Sequence, residues 1–292
     1  MLVTELALVA DTAQITSSQL GRVAAALQKQ AIRDFRQLWD ITATLDSFDR
    51  LEDVPIGYWP IIVRDDINVA GAAGVHLDEN GQPFALVQYS DSWSLTASHE
   101  MLEMLADPLG NRLVAGQSPK PDQGRVEFLV EVADPSEDPQ FGYTVNGFLV
   151  SDFFTPRFYD PVAAEGVRYS FGGHIPGPRQ ILEGGYISWH EPVSDHWWQQ
   201  VWFGTPQPVF RDLGQLTART GSLRSAIDAR TQTALRIAQA GPGSDRFAEA
   251  RSFIPRIGEA TDARASSWRA RIDALKAGEL PEAAWEGGEE GD

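Results

Sequence analysis

The chain has 292 residues, 42% of them hydrophobic, which is enough to bury a sizeable core. Its net charge of −17 and pI near 4.6 disfavour nucleic acid as a partner, because phosphate backbones are held by clustered Lys and Arg. The absence of cysteine excludes disulfides and thiolate zinc sites, so a transition-metal site has to draw on His, Asp and Glu, and the chain has five histidines. The N-terminus carries no basic region followed by an apolar run, and no stretch of about 18 apolar residues occurs, so a soluble, cytoplasmic chain without a membrane partner is expected.

"LVTELALVAD" reads as a strand. "SSQLGRVAAALQKQAIRDF" follows as a helix behind a serine cap, with Leu20, Val23, Leu27 and Ile32 near helical spacing. Strand-like runs come next in "WDITATLDSF", "GYWPIIVRD" and "GVHLDENGQPFALVQYS", the last folded back at Asn80-Gly81. After a helix within residues 91 to 108, strand character returns in "RVEFLVEVADP", in "YTVNGFLVSDFF" with its Asn146-Gly147 turn, and in "ILEGGYISWHE". From about residue 210 no strand signal is expected. Leu216, Leu223, Ile227, Ala234 and Ile237 form one stripe, and Phe247, Ile254, Ile257, Trp268, Ile272 and Leu275 form another beyond Gly241-Pro242-Gly243. These predict an α-helical hairpin over residues 209 to 280, followed by an acidic, disordered tail at 281 to 292.

The helix in "DSWSLTASHEMLEMLADP" carries the chemistry. Leu95, Met101, Leu102, Met104 and Leu105 fall on one side and His99, Glu100, Glu103 and Asp107 on the other, which predicts an amphipathic helix with a polar face. Glu100 and Glu103 are three apart, Glu103 and Asp107 four apart, so like charges face one another, towards the end of the helix where the dipole disfavours negative charge. The nearest base in sequence is Arg112, beyond the helix. A divalent cation would offset these penalties, and His99 and Glu103, one turn apart, can grip one between them.

His99-Glu100-Met101-Leu102-Glu103 resembles the HExxE variant of the zincin metallopeptidase motif. The wider pattern of "SHEMLEMLADP", "EVADP" and "GGY" is similar to uncharacterised bacterial zincin-like proteins and, more remotely, to plant exordium-like proteins. The resemblance covers about residues 1 to 205. It implies an α+β fold with a mixed sheet, an active-site helix and "QPFALVQYS" as the edge strand beside the cleft, in a domain over 1 to 208. It further implies that His99 and Glu103 are metal ligands and that Glu100 is the general base for metal-bound water, a role its place beside the ion permits. A catalytic site usually needs a third protein ligand. Glu131 is the first candidate and Asp134 the second, with plain turn chemistry competing at Asp134-Pro135 and a ligand-orienting role competing with a turn at Asp107.

Tyr186, behind two glycines, is the choice for stabilising an oxyanion. His174, His190 and His196 are weaker candidates for that role, and His76 needs no special role. The expected cofactor is one divalent metal, zinc first, with oxygen donors leaving manganese, iron or calcium open. The function implied is a metal-dependent hydrolase acting on peptide or protein substrates. The alternative is a metal-stabilised binding or assembly protein that self-associates or meets a partner through its C-terminal helices.

Overall fold

In the computed structural model of the chain the described residues are 3–69, 72–216 and 222–238, with side chains described as far as residue 231. The architecture is mixed α and β, with several sheets and few helices. The first sheet comprises β1 (Thr4–Asp11), β2 (Ala43–Phe48), β3 (Trp59–Arg64), β4 (Gly74–Glu79) and β5 (Gln82–Gln88). Its spatial order is β2-β1-β3-β5-β4, parallel except for β4, which runs antiparallel to β5. Helix α1 (Ser17–Lys29) makes the crossover from β1 to β2. Its cap is Thr16, whose side chain accepts from the Gln19 amide.

The turn between β4 and β5 has Asn80 and Gly81 both at positive φ (51° and 79°), which the two-residue hairpin requires and which this dipeptide tolerates. The hairpin places β4, rather than the "QPFALVQYS" strand, at the sheet edge. β5 lies between β3 and β4, and its apolar residues are buried on both faces.

Helix α3 (Trp93–Ala106), which follows the four-residue α2 (Arg36–Trp39) in the chain, packs across β5, β4 and β3 on one side and meets β9 (Phe148–Val150) on the other. β9 pairs with β8 (Tyr143–Val145) through the Asn146-Gly147 turn, again with both residues at positive φ. A second, antiparallel sheet has the order β12-β11-β10-β7-β6: β6 (Leu113–Gln117), β7 (Arg125–Leu129), β10 (Tyr186–Glu191), β11 (His196–Val201) and β12 (Val209–Gly214). The main core lies around α1, α3 and the inner strands and includes Phe35, Met101, Phe128, Phe153 and Trp189.

Two further expectations are corrected. Helix α3 is a core helix with twelve of its fourteen residues buried, Glu100 and Glu103 among them, so its polar side faces the protein interior. The chain after 208 does not become purely helical: Val209–Gly214 is a sheet-edge strand in which apolar Val209 and Phe210 are adjacent and both exposed, so it lacks the alternation that marks a strand. The following helix α4 (Leu223–Ala238) packs Ile227 against Leu129, Trp197 and Leu213 of the second sheet. The second arm of the expected hairpin and the acidic tail lie outside the described residues. Among the described residues no helix is long and apolar enough to cross a membrane.

Candidate metal centre

Four segments converge on Glu103, one of them β4 through His76. The first is α3 itself, made of good helix formers and ended at Asp107-Pro108. The Asp107 carboxylate accepts the Arg112 amide at 2.7 Å, so this acid closes the turn after the helix. The second is the loop 130–136, pinned by the Val130 amide on the Arg112 carbonyl and the Phe154 amide on the Val132 carbonyl. Its Ala133 amide donates to Glu103 Oε1 at 3.3 Å. The third is the start of α4, docked by the Arg224 amide on the Gly110 carbonyl and the Leu223 amide on Asn111 Oδ1.

His99 Nε2 lies 3.4 Å from Glu103 Oε1 and 3.2 Å from Asp134 Oδ1. Three donors about 2.0 to 2.2 Å from one tetrahedral cation stand about 3.3 to 3.6 Å apart, so the two separations suit a shared ion. Both Asp134 oxygens are buried without a hydrogen-bond partner among the described residues, which for a carboxylate 1% exposed is costly unless a cation or a proton is supplied. His99, Glu103 and Asp134 therefore fit a divalent metal on donor chemistry and on separation. Glu131, the first candidate for third ligand, turns instead towards Arg224, its Oε1 2.8 Å from Nη1. Asp134, the second candidate, is the acid beside His99.

Arg224 is the residue that sequence reading missed. Its side chain is 5% exposed, bonds Glu103 Oε2 through Nη1, and approaches Asp228 at 3.5 Å. One signal for it is present in the chain: a base in the first turn of a helix opposes the dipole, and an acid elsewhere can compensate it. His76 was also underrated. It projects from β4 towards α3, 2% exposed, with Nδ1 3.6 Å from both Glu100 Oε2 and Glu103 Oε2. A histidine in a short strand carries no such information until the sheet sets its neighbours.

The electrostatics follow from this crowding. Burial acts against ionisation of Glu103, but Arg224 and His99 outweigh it and hold the carboxyl well below its usual range. Burial, reinforced by the charge of Glu103, pushes Asp134 up to about 7, and burial takes Glu137 to about 8. Burial opposes the charged form of His99 as well, yet Glu103 and Asp134 raise its pKa well above that of free imidazole. A cation between these donors would favour the ionised carboxylates and the neutral imidazole instead.

A cleft of about 480 Å³ opens beside the centre, lined by His99, Glu100, Asp134, Tyr186 and Arg224 and by residues 72–75 leading into β4. Gly74 is needed there: a Cβ would lie 2.6 Å from Glu100 Oε1. Gly185 serves a different contact from the one its sequence position suggests. A Cβ there would meet the Pro135 and Asp134 carbonyls at 2.6 and 2.7 Å, so it lets β10 approach the 130–136 loop, and Tyr186 follows into the cleft. His190, between Glu127 and Asp195, and His196, beside Asp212, stand apart in the second sheet, and His174 packs on Phe141.

No family model, curated protein or solved structure matches this chain.

Proposed function

We propose that the chain is a metal-dependent hydrolase acting on peptide bonds, with His99, Glu103 and Asp134 as the ligands of one divalent ion, zinc first. The observation that carries the reading is the meeting of these three donors, at 3.2 and 3.4 Å from His99, on the wall of an open cleft with Glu100 next to them. The zincin resemblance of His99-Glu100-Met101-Leu102-Glu103 supports it. So does the order strand, helix, strands, active-site helix.

When bound, the ion acts as a Lewis acid and lowers the pKa of water on it. The remaining work falls to the chain. Glu100, 3% exposed and lining the cleft, accepts a proton from the attacking water and returns it to the leaving amine. Tyr186 stays a phenol, because burial and nearby acids raise its pKa well above the ordinary value, and it donates a hydrogen bond to the carbonyl oxygen as charge develops there. Arg224 keeps Glu103 ionised and fixed. An extended peptide fits along β4, the sheet edge that borders the cleft.

The test is elemental analysis with a peptide-library assay on the full chain. One tight equivalent of metal is expected in wild type and in Glu131→Gln, and loss in Asp134→Ala; Glu100→Gln keeps the metal and loses hydrolysis. A chain that stays metal-free after reconstitution rejects the proposal. The internal cation Arg224 favours a second reading, a non-catalytic centre that ties α4 to the domain as part of a binding or assembly protein. Under it, Glu100→Gln changes neither metal content nor partner binding.

A further inference from the structure

Glu103 presents its two oxygens to two different sets of residues. Oε1 faces His99, while Oε2 faces His76 at 3.6 Å, and Glu100 Oε2 lies the same distance from His76 Nδ1. Such separations are too long for direct hydrogen bonds. They do match two donors on one cation, which stand about 3.3 to 3.6 Å apart in a tetrahedral shell. Neither ring nitrogen of His76 and not Glu100 Oε2 has a hydrogen-bond partner among the described residues, although both side chains are at least 97% buried. Buried imidazole and carboxylate groups left in this way call for an occupant between them.

We infer that His76, Glu100 and Glu103 form a second cation position, on the far side of Glu103 from His99 and Asp134, with the Glu103 carboxylate bridging the two. Arg224 does not block it. Its Nη1 takes one acceptor site of Oε2, and an ionised carboxylate offers about four in all. Charge points the same way. Glu100, Glu103, Glu131, Asp134 and Asp228 are linked through Arg224 and the two histidines; once bound cations ionise the acids and leave the imidazoles neutral, five carboxylates less one guanidinium carry four negative charges. Two divalent cations match them, and one leaves half.

The inference rests on the hydrolase reading for its consequence. An ion in this position engages Glu100, the proposed base, so hydrolysis should rise with divalent cation as the first position fills and fall as the second does. The two positions thereby give the centre a built-in sensitivity to cation concentration.

The experiment uses the full chain, stripped with a chelator and equilibrated with Mn2+ up to millimolar free concentration, with bound metal counted by elemental analysis and its spin state read by electron paramagnetic resonance. Two equivalents in wild type with spin coupling across the shared carboxylate, and one uncoupled equivalent in His76→Gln, are expected. One equivalent in wild type overturns the second position and leaves the first intact, with His76 then a buried ion-pair partner of the two acids. Two equivalents that persist in His76→Gln, or that show no coupling, place the second ion elsewhere and also overturn it. If His76→Gln does not fold, the wild-type count and coupling decide. No bound metal at all removes both this inference and the hydrolase reading.

Discussion

Arg224 and Glu103 are bonded in the protein interior although 121 residues separate them in the chain. The guanidinium also pairs with Glu131 and Asp228, so it is the one fixed cation bound among these acids in the described residues. Breaking such a buried pair from one side costs about 3 to 5 kcal/mol, since the acids are left uncompensated. Arg224→Met should therefore destabilise the metal-free chain by about that amount, and a divalent cation should restore part of the loss. Urea unfolding with and without chelator checks this; a variant as stable as wild type in chelator would show that Arg224 is dispensable. Removal of everything after residue 208 would take Arg224 and β12 with it, so that truncation tests the integrity of the fold as much as the role of the helices.

The metal-free protein should lose stability as pH rises. Asp134 titrates at about 7 in the folded chain against an ordinary 3.8, and Glu137 at about 8 against 4.5, both through burial. The folded state thus holds these protons more tightly than the unfolded chain, and stability falls as pH climbs from about 4 to about 8. His99 adds the same sign. Burial opposes its charge, but Glu103 and Asp134 raise its pKa, so its contribution is full below about 6.5 and is lost as pH rises from there through its folded pKa. Glu103, held low, has the opposite sign: its contribution is present above about 4.5 and is lost as pH falls from there through its folded pKa. Melting temperatures in chelator across this range should decline, less steeply in Asp134→Asn; a flat or rising profile contradicts the buried, cation-free cluster.

Two glycines separate ligand placement from base placement. Gly185→Ala drives a Cβ into the Asp134 and Pro135 carbonyls, which are backbone and cannot swing aside, so it should cost about 1 to 3 kcal/mol and weaken metal binding. Gly74→Ala meets the Glu100 and Thr96 side chains first. It should leave one tight metal in place and lower kcat, because Glu100 is displaced. Equal metal loss in both variants would count against this division.

Ser98 provides a control on the opposite side of α3. Its hydroxyl donates to Gln30 Oε1 at 2.7 Å and accepts the Ser151 amide at 2.9 Å, while Gln30 Nε2 donates to the Ser151 carbonyl. Ser98→Ala strands two buried partners and should cost about 1 to 3 kcal/mol with metal content unchanged. A fall in metal content would mean that this network, through α3, also sets the ligand geometry.

The sequence by itself determined the local features. Both Asn-Gly turns, the strands from β1 to β5, the helix between Asp91 and Pro108, and the spacing that sets His99 and Glu103 on one helix edge all depend on interactions within a few residues. Periodicity could show that Glu100, Glu103 and Asp107 share a side of α3, but it could not show that this side is buried, because acids there look solvated until Arg224 and the histidines are seen beside them. Only the tertiary structure decided that Asp134 rather than Glu131 stands next to His99, that β4 brings His76 to the same carboxylate, and that a helix beyond the motif-bearing region supplies the countercharge. Each of these contacts joins residues far apart in the chain, and their partners are fixed by sheet order and loop anchoring, which no local pattern encodes.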